Sequence, residues 1–241
     1  MKKSQPILLN TGIFIKNGDI NTAIEEVEKH GVDGIEIGTS FLDVLMDFRL
    51  SQNSFSLLKK WKTIGMNAPS KFYYRNDRYT NAVLQKLKSV YSLLNAQYAV
   101  FHSHTLEDFT LLESLSAEED PPKLCMENDR GIYNVRAEQL KEIIDKHPSL
   151  FFILNTAHAL SVGDDEIKDL IALLKDRIVA VHLSARKDDM DHVPLHVVDE
   201  HTLSLLEPVK SLSCPFVLET WHTYRENIDA EIKFVRKWLK K

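Results

Sequence analysis

LFFILNTAHAL, residues 150–160, is the stretch from which the fold can be worked out. Its large apolar side chains stop abruptly at Asn155-Thr156-Ala157-His158. The run lacks three–four spacing and is too short for a helix, so it predicts a strand. Side chains alternate along a strand, which puts Phe151, Ile153 and Asn155 on one face and Phe152 and Leu154 on the other. Both faces are apolar, as in a parallel sheet covered on both sides, but one face ends in a polar group. A buried strand with a polar tip carries that tip to the edge of the core, and a histidine follows close behind.

The same pattern recurs on either side. Residues 7–9 open a first apolar run, which Asn17-Gly18-Asp19 breaks. Thr22 and Glu25 have capping-box spacing ahead of an amphipathic segment that reaches His30 and closes at Gly31. Residues 34–37 predict the second strand. Residues 41–49 and 55–63 suit helices, the latter stopped by Gly65, and 72–74 predict the third strand. A helix over 82–94 leads to a strand over 98–101 that ends at His102. A helix over 106–115 and the acidic loop Glu118-Glu119-Asp120 precede a strand over 124–126 that ends at Glu127. Helices over 137–146 and 166–174 flank the opening stretch, and strand 178–181 ends at His182. A helix over 203–212, a strand over 216–218 ending at Glu219, and a helix over 228–239 complete the chain. Eight strand–helix units with no linker between them predict an α/β fold, a single (β/α)8 barrel domain over residues 1–241. An open doubly wound sheet suits the chain less well, because no glycine-rich turn follows the first strand.

Bulk properties agree with one globular domain: 241 residues, 44% hydrophobic and 27% charged. A net charge of −5 disfavours a long phosphate-lined nucleic-acid track, which needs basic residues spread over a face. Cys125 and Cys214 sit in or beside apolar runs, without zinc-finger spacing, and read as small core residues in a reducing compartment. The opening MKK has no cleavable apolar run behind it, and no segment is long enough to span a membrane. These features predict a cytoplasmic protein.

The chemistry gathers at the strand ends. Five consecutive strands, the fourth to the eighth, end in His102, Glu127, Asn155, His182 and Glu219. In a barrel these side chains point inward at the carboxyl-terminal rim, where barrel enzymes keep their sites. His104, His158 and His192 lie in adjoining loops. Two carboxylates buried near one axis repel unless a cation or a shared proton lies between them, and a divalent metal is the simplest solution.

Four segments carry a resemblance: KLCMENDRG (123–131), LNTAHA (154–159), VHL (181–183) and VLET (217–220). In order and spacing they resemble the xylose isomerase-like barrel superfamily, which includes sugar and sugar-phosphate isomerases and epimerases, dehydroshikimate dehydratases and endonuclease IV. The resemblance implies a metal set of Glu127, Asn155, His182 and Glu219, with Asn155 standing where that group usually has aspartate. With one charge fewer, the site is expected to favour Mn²⁺ or Zn²⁺, with Co²⁺ or Mg²⁺ as alternatives.

On this resemblance the chain is expected to be an isomerase or epimerase of a sugar or sugar phosphate. Glu127 and Glu219 would exchange a proton beside the substrate carbonyl. His102, His158 and His192 would bind substrate, and Lys71, Arg186 and Lys187 are candidates to clamp a phosphate. Endonuclease IV is the alternative within the superfamily. Against it stand Asn155, Ser70-Lys71 where a ligand histidine is expected, and Met190 where the first carboxylate of an Asp-x-His is expected. A third expectation, from a different class, is a non-catalytic barrel that binds a carbohydrate or a protein.

Overall fold

A computed structural model describes residues 5–15, 19–116, 121–130 and 135–240, without the side chains of residues 114 and 116. The Asn17-Gly18 break, the Glu118-Glu119-Asp120 loop, the opening MKK and Gly131 lie outside the described residues.

Eight parallel strands close into a barrel: β1 (Ile7–Asn10), β2 (Gly34–Gly38), β3 (Thr63–Asn67), β4 (Tyr98–His102), β5 (Lys123–Glu127), β6 (Phe151–Asn155), β7 (Ile178–Leu183) and β10 (Phe216–Leu218). They neighbour one another in chain order, and β10 closes the ring between β7 and β1. A two-stranded hairpin, β8 (Ala185–Lys187) and β9 (Met190–Val193), follows β7 and stands outside the ring. The main helices are α1 (Ile20–Glu28), α2 (Leu42–Met46), α3 (Gln52–Leu58), α4 (Arg78–Leu94), α5 (Thr110–Ser116), α6 (Ala137–Lys146), α7 (Thr156–Leu160), α8 (Glu166–Leu174), α9 (Glu200–Leu206) and α10 (Ile228–Trp238). Among the described residues no helix is long and apolar enough to cross a membrane.

The core has two parts, and strand alternation separates them. Leu8, Tyr98, Val100, Cys125, Ile153, Ala180 and Val217 fill the barrel interior. Their neighbours on the opposite strand face, including Leu9, Ala99, Phe101, Leu124, Met126, Phe152, Leu154, Val181 and Leu218, pack against the helices. Ile153 faces inward while Phe152 and Leu154 face the helices, as the alternation in residues 151–155 predicts. Two residues beyond six of these side chains comes a polar one: Asn10 after Leu8, His102 after Val100, Glu127 after Cys125, Asn155 after Ile153, His182 after Ala180 and Glu219 after Val217. The barrel therefore has an apolar floor and a polar layer at its carboxyl-terminal mouth.

The third strand differs from expectation. Residues 63–67 form β3, whereas residues 72–74 lie in the connection after it, where Tyr74 makes one isolated bridge to Leu106. Gly65 reads locally as a helix stop, but it belongs inside the strand because the Tyr98 ring fills the space its side chain would take. A Cβ there would sit 2.2 Å from Tyr98 Cζ. Two helix starts also move. Asp19, rather than a Thr22 box, caps α1 by accepting from Asn21 N at 3.1 Å. Residues 103–105 form a tight turn, which delays α5 to Thr110, where Asp108 Oδ1 accepts from the Thr110 amide at 2.9 Å. Beyond Leu206 a Pro208-containing 3₁₀ turn, Glu207–Ser211, replaces the helix expected to reach residue 212.

Candidate metal centre

The polar layer converges on His182, which is fully buried. Its Nε2 lies 3.0 Å from Glu36 Oε2, an acceptor that also takes the Tyr98 hydroxyl at 2.8 Å. The other Glu36 oxygen accepts from Asn10 Nδ2 at 2.7 Å. With its oxygens already accepting from Asn10 and Tyr98, Glu36 meets His182 as an acceptor, which places a His182 proton on Nε2. Its Nδ1 then turns to two further glutamates, 3.3 Å from Glu127 Oε1 and 3.2 Å from Glu219 Oε2. This Nδ1 and Glu127 Oε2 are buried and have no hydrogen-bond partner among the described residues. Glu127, His182 and Glu219 each supply a ligand atom within 4.8 Å of the others.

Burial by itself favours the neutral form of each of these groups. The surrounding charges outweigh it: Glu36, Glu127 and Glu219 raise the His182 pKa well above the ordinary histidine value, while the histidines lower both Glu127 and Glu219. A lone pair aimed at two carboxylates is repulsive. Either a second proton on His182 or a cation between the three groups removes that repulsion. A histidine nitrogen and two carboxylates, with a carboxylate holding the back of the ring, are a donor set that suits Zn²⁺ or Mn²⁺.

Asn155 sits in the same layer but is turned differently from the expected ligand. Its Oδ1 accepts from the His158 amide at 3.2 Å, capping α7. Its Nδ2 donates to Glu127 Oε1 at 2.7 Å and to Glu219 Oε2 at 3.2 Å. Reversing the amide would set an NH₂ against the His158 N–H, so the cap fixes the orientation. In this arrangement Asn155 presents hydrogens, not an oxygen, to the centre. Asn128 holds it there: Asn128 Oδ1 accepts from Asn155 N at 2.8 Å and Asn128 Nδ2 donates to Asn155 O at 2.9 Å.

A second cluster lies alongside. His158 Nδ1 donates to the Asn128 carbonyl at 2.8 Å, and His192 Nδ1 faces the Glu219 carbonyl at 3.2 Å. His158 therefore presents its Nε2 lone pair to His192 Nε2, 3.2 Å away, while His192 Nδ1 also faces the Ser184 hydroxyl at 3.2 Å. Burial, and then the neighbouring His192, keep the His158 pKa below the ordinary value, although Glu127 pulls it up. Asp191 completes the group within 4.8 Å. It pairs with Arg130 and accepts from Trp221 Nε1 at 3.3 Å. His192 adopts the left-handed backbone region, at φ 50°, which histidine tolerates better than most residues.

Met190 is half exposed, while the next residue along β9, Asp191, is buried and brings a carboxylate to this group. Of the proposed phosphate clamps, Lys71 lies over the Phe41 ring at 4.5 Å and Arg186 pairs with Asp189 at 3.6 Å.

His102, at the tip of β4, places Nε2 3.7 Å from Glu127 Oε2 and Nδ1 3.3 Å from Asp129 Oδ1. His104 Nδ1 approaches the same Asp129 oxygen at 2.8 Å. Burial opposes a charge on His102, but Glu127 and Asp129 override it and push its pKa up to about 9. All of the sequence-predicted residues Glu127, Asn155, His182, Glu219, His102, His158 and His192 thus gather at one mouth. Glu36, Asp129 and Asp191 were not picked out. Glu36 carried a usable signal, since it is a charged residue at an inward position of an otherwise apolar strand. Asp129, just beyond β5, and Asp191, in the β8–β9 hairpin, lie off the barrel strands and carried none.

No protein-family profile matches the sequence, and a comparison with curated proteins found no match. Solved structures do match over nearly the whole chain. Endonuclease IV from Thermus thermophilus superposes with a TM-score of 0.71 at 21% identity, covering 98% of this chain and 99% of its own. A xylose isomerase domain-containing protein from Salmonella typhimurium gives 0.72 at 16% identity, covering 99% and 98%. A D-tagatose 3-epimerase-like protein gives 0.70 at 16%, covering 98% and 97%. At such identities the likeness speaks for the fold rather than for a reaction. Closed parallel strands, with helices packed outside, are arranged as in those neighbours: the chain has the xylose isomerase-like (β/α)8 barrel fold.

Proposed function

We propose that this chain is a divalent-metal-dependent enzyme acting on a sugar or sugar phosphate, with Glu127, His182 and Glu219 holding the cation. The observation that carries this reading is the buried Nδ1 of His182, held by Glu36 so that it faces two carboxylates with no hydrogen-bond partner among the described residues. When bound, the metal would act as a Lewis acid toward a substrate carbonyl and its neighbouring hydroxyl.

The protein's own groups supply the remaining chemistry. Glu219 is the more accessible of the two glutamates, its side chain 23% exposed against 1% for Glu127. It is the better placed to take a proton from the carbon beside the carbonyl. In an isomerisation Glu219 passes the same proton to the neighbouring carbon; in an epimerisation Glu127, deeper in the mouth, must enter protonated and deliver its own proton to the opposite face, each such transfer contributing roughly a hundred- to ten-thousandfold. Asn155 donates to both glutamates and sets their spacing. His102, His158 and His192 line the rim, where they can hold substrate hydroxyls.

The His158–Asp191–His192 group favours a second reading, hydrolysis of a phosphoester such as that at an abasic site in DNA. Two imidazole lone pairs and a carboxylate beside the first centre could hold another cation, and paired metals suit in-line displacement at phosphorus. Metal analysis of protein purified without chelator tests the shared premise. Stoichiometric Mn or Zn that is lost in Glu127→Gln supports it, and no metal in any preparation, even after loading, refutes it. Deuterium uptake from D₂O next to the carbonyl of pentuloses, hexuloses or their phosphates supports the isomerase. Nicking of an abasic-site duplex without such exchange supports the hydrolase.

A further inference from the structure

We propose that His102, His104 and Asp129 form a separate binding site for a divalent transition cation such as Zn²⁺, beside Glu127 and independent of the His182 centre. Asp129 Oδ1 is faced by His104 Nδ1 at 2.8 Å and by His102 Nδ1 at 3.3 Å, and all three ligand atoms lie within 4.8 Å of one another. Tetrahedral zinc with bonds of about 2.0–2.1 Å sets its ligand atoms about 3.3 Å apart, close to the two nitrogen distances from Asp129 Oδ1.

The site is built rather than incidental. Asp129 is buried, and its second oxygen accepts from Ser103 Oγ at 2.6 Å and from the His104 amide at 2.8 Å. Those two bonds fix the carboxylate so that Oδ1 faces the rings. His102 ends β4 and His104 lies in the tight turn that follows it, and their ring centroids are 5.8 Å apart. Their side chains keep 15% and 20% exposure, which leaves a fourth position open to water or a substrate oxygen at the mouth.

A cation here can take the place of the proton that His102 otherwise carries on Nδ1. If neutral His102 donated from Nδ1 to Asp129, its Nε2 lone pair would face Glu127 Oε2, a buried oxygen with no hydrogen-bond partner among the described residues. With Nδ1 on a cation, the proton resides on Nε2 and faces that oxygen. The outer site then steadies Glu127 by way of His102, with no requirement that the inner site be filled.

The test uses the full chain, stripped with chelator and titrated with Zn²⁺ against a chromophoric competitor, with anomalous diffraction from zinc-soaked crystals. Wild type is expected to show an anomalous peak between His104 and Asp129. His104→Gln and Asp129→Asn, shown to be folded by circular dichroism, should each lose one equivalent and that peak while retaining the one beside Glu219. Glu219→Gln should retain the Asp129 peak, so failure of the His182 centre is read separately. Unchanged zinc stoichiometry in folded His104→Gln, or occupancy of Asp129 only at millimolar zinc, overturns the proposal.

Discussion

Glu36→Gln alters one atom and tests how His182 is prepared for a cation. Glutamine keeps the shape of Glu36 but has one acceptor oxygen where the native side chain uses two. Suppose that oxygen faces Tyr98 and His182. The new NH₂ then meets Asn10 Nδ2, and Asn10 cannot turn, because its Oδ1 already accepts from Gly12 N at 2.7 Å. An unsatisfied buried donor costs about 1–3 kcal/mol. In the reverse orientation the NH₂ faces His182 Nε2, which must then accept. The imidazole proton moves to Nδ1 and points at Glu127 and Glu219, closing the ligand position. Either way the cation is held less well, and loss of a carboxylate behind a metal-binding histidine typically weakens affinity tenfold to a hundredfold, about 1.4–2.7 kcal/mol. Competition titration with Zn²⁺ or Mn²⁺ measures this directly, and ¹⁵N NMR of the imidazoles reports which nitrogen bears the proton. A folded Glu36→Gln protein that binds metal within twofold of wild type would refute the role assigned to Glu36.

Three further outcomes are expected. Asn155→Asp replaces the amide that bridges Glu127 and Glu219 with a third carboxylate; divalent cations should bind at least about tenfold more tightly, while the chelator-treated protein loses about 1–3 kcal/mol, read by titration and by urea unfolding with and without metal. Gly65→Ala drives a methyl into the Tyr98 ring and should destabilise the barrel by about 1–3 kcal/mol or more in urea unfolding; a stability equal to wild type would contradict the packing of β3. In chelator-treated protein the pKa of His102 is raised from 6.5 to about 9, so its stabilising contribution is complete below pH 6.5 and is lost as pH rises through about 9. That amounts to about 3 kcal/mol, and the fall in melting temperature over this window should be smaller in His102→Asn, with His182, also raised, carrying part of the remainder.

Most of the barrel was legible locally. Residues 151–155 show it best: strand alternation depends only on adjacent residues, so the inward position of Asn155 followed from counting by twos. The same count placed His102, Glu127, His182 and Glu219 at the mouth. It failed at β3, because Gly65 there is a cavity for Tyr98, a residue 33 positions away in the chain, and nothing near Gly65 signals the ring that fills it.

The sequence by itself determined the repeating strand–helix order and the ring of polar tips, since both arise from short-range periodicity and hydrophobic burial. Only the tertiary structure decided which way those tips face. Asn155 is turned by the amide of His158, Asp191 is drawn inward with Arg130 and Trp221 as partners, and His182 is backed by Glu36. Each of these depends on hydrogen bonds and ion pairs whose geometry is set when the closed barrel brings the strand ends and their loops together at one mouth.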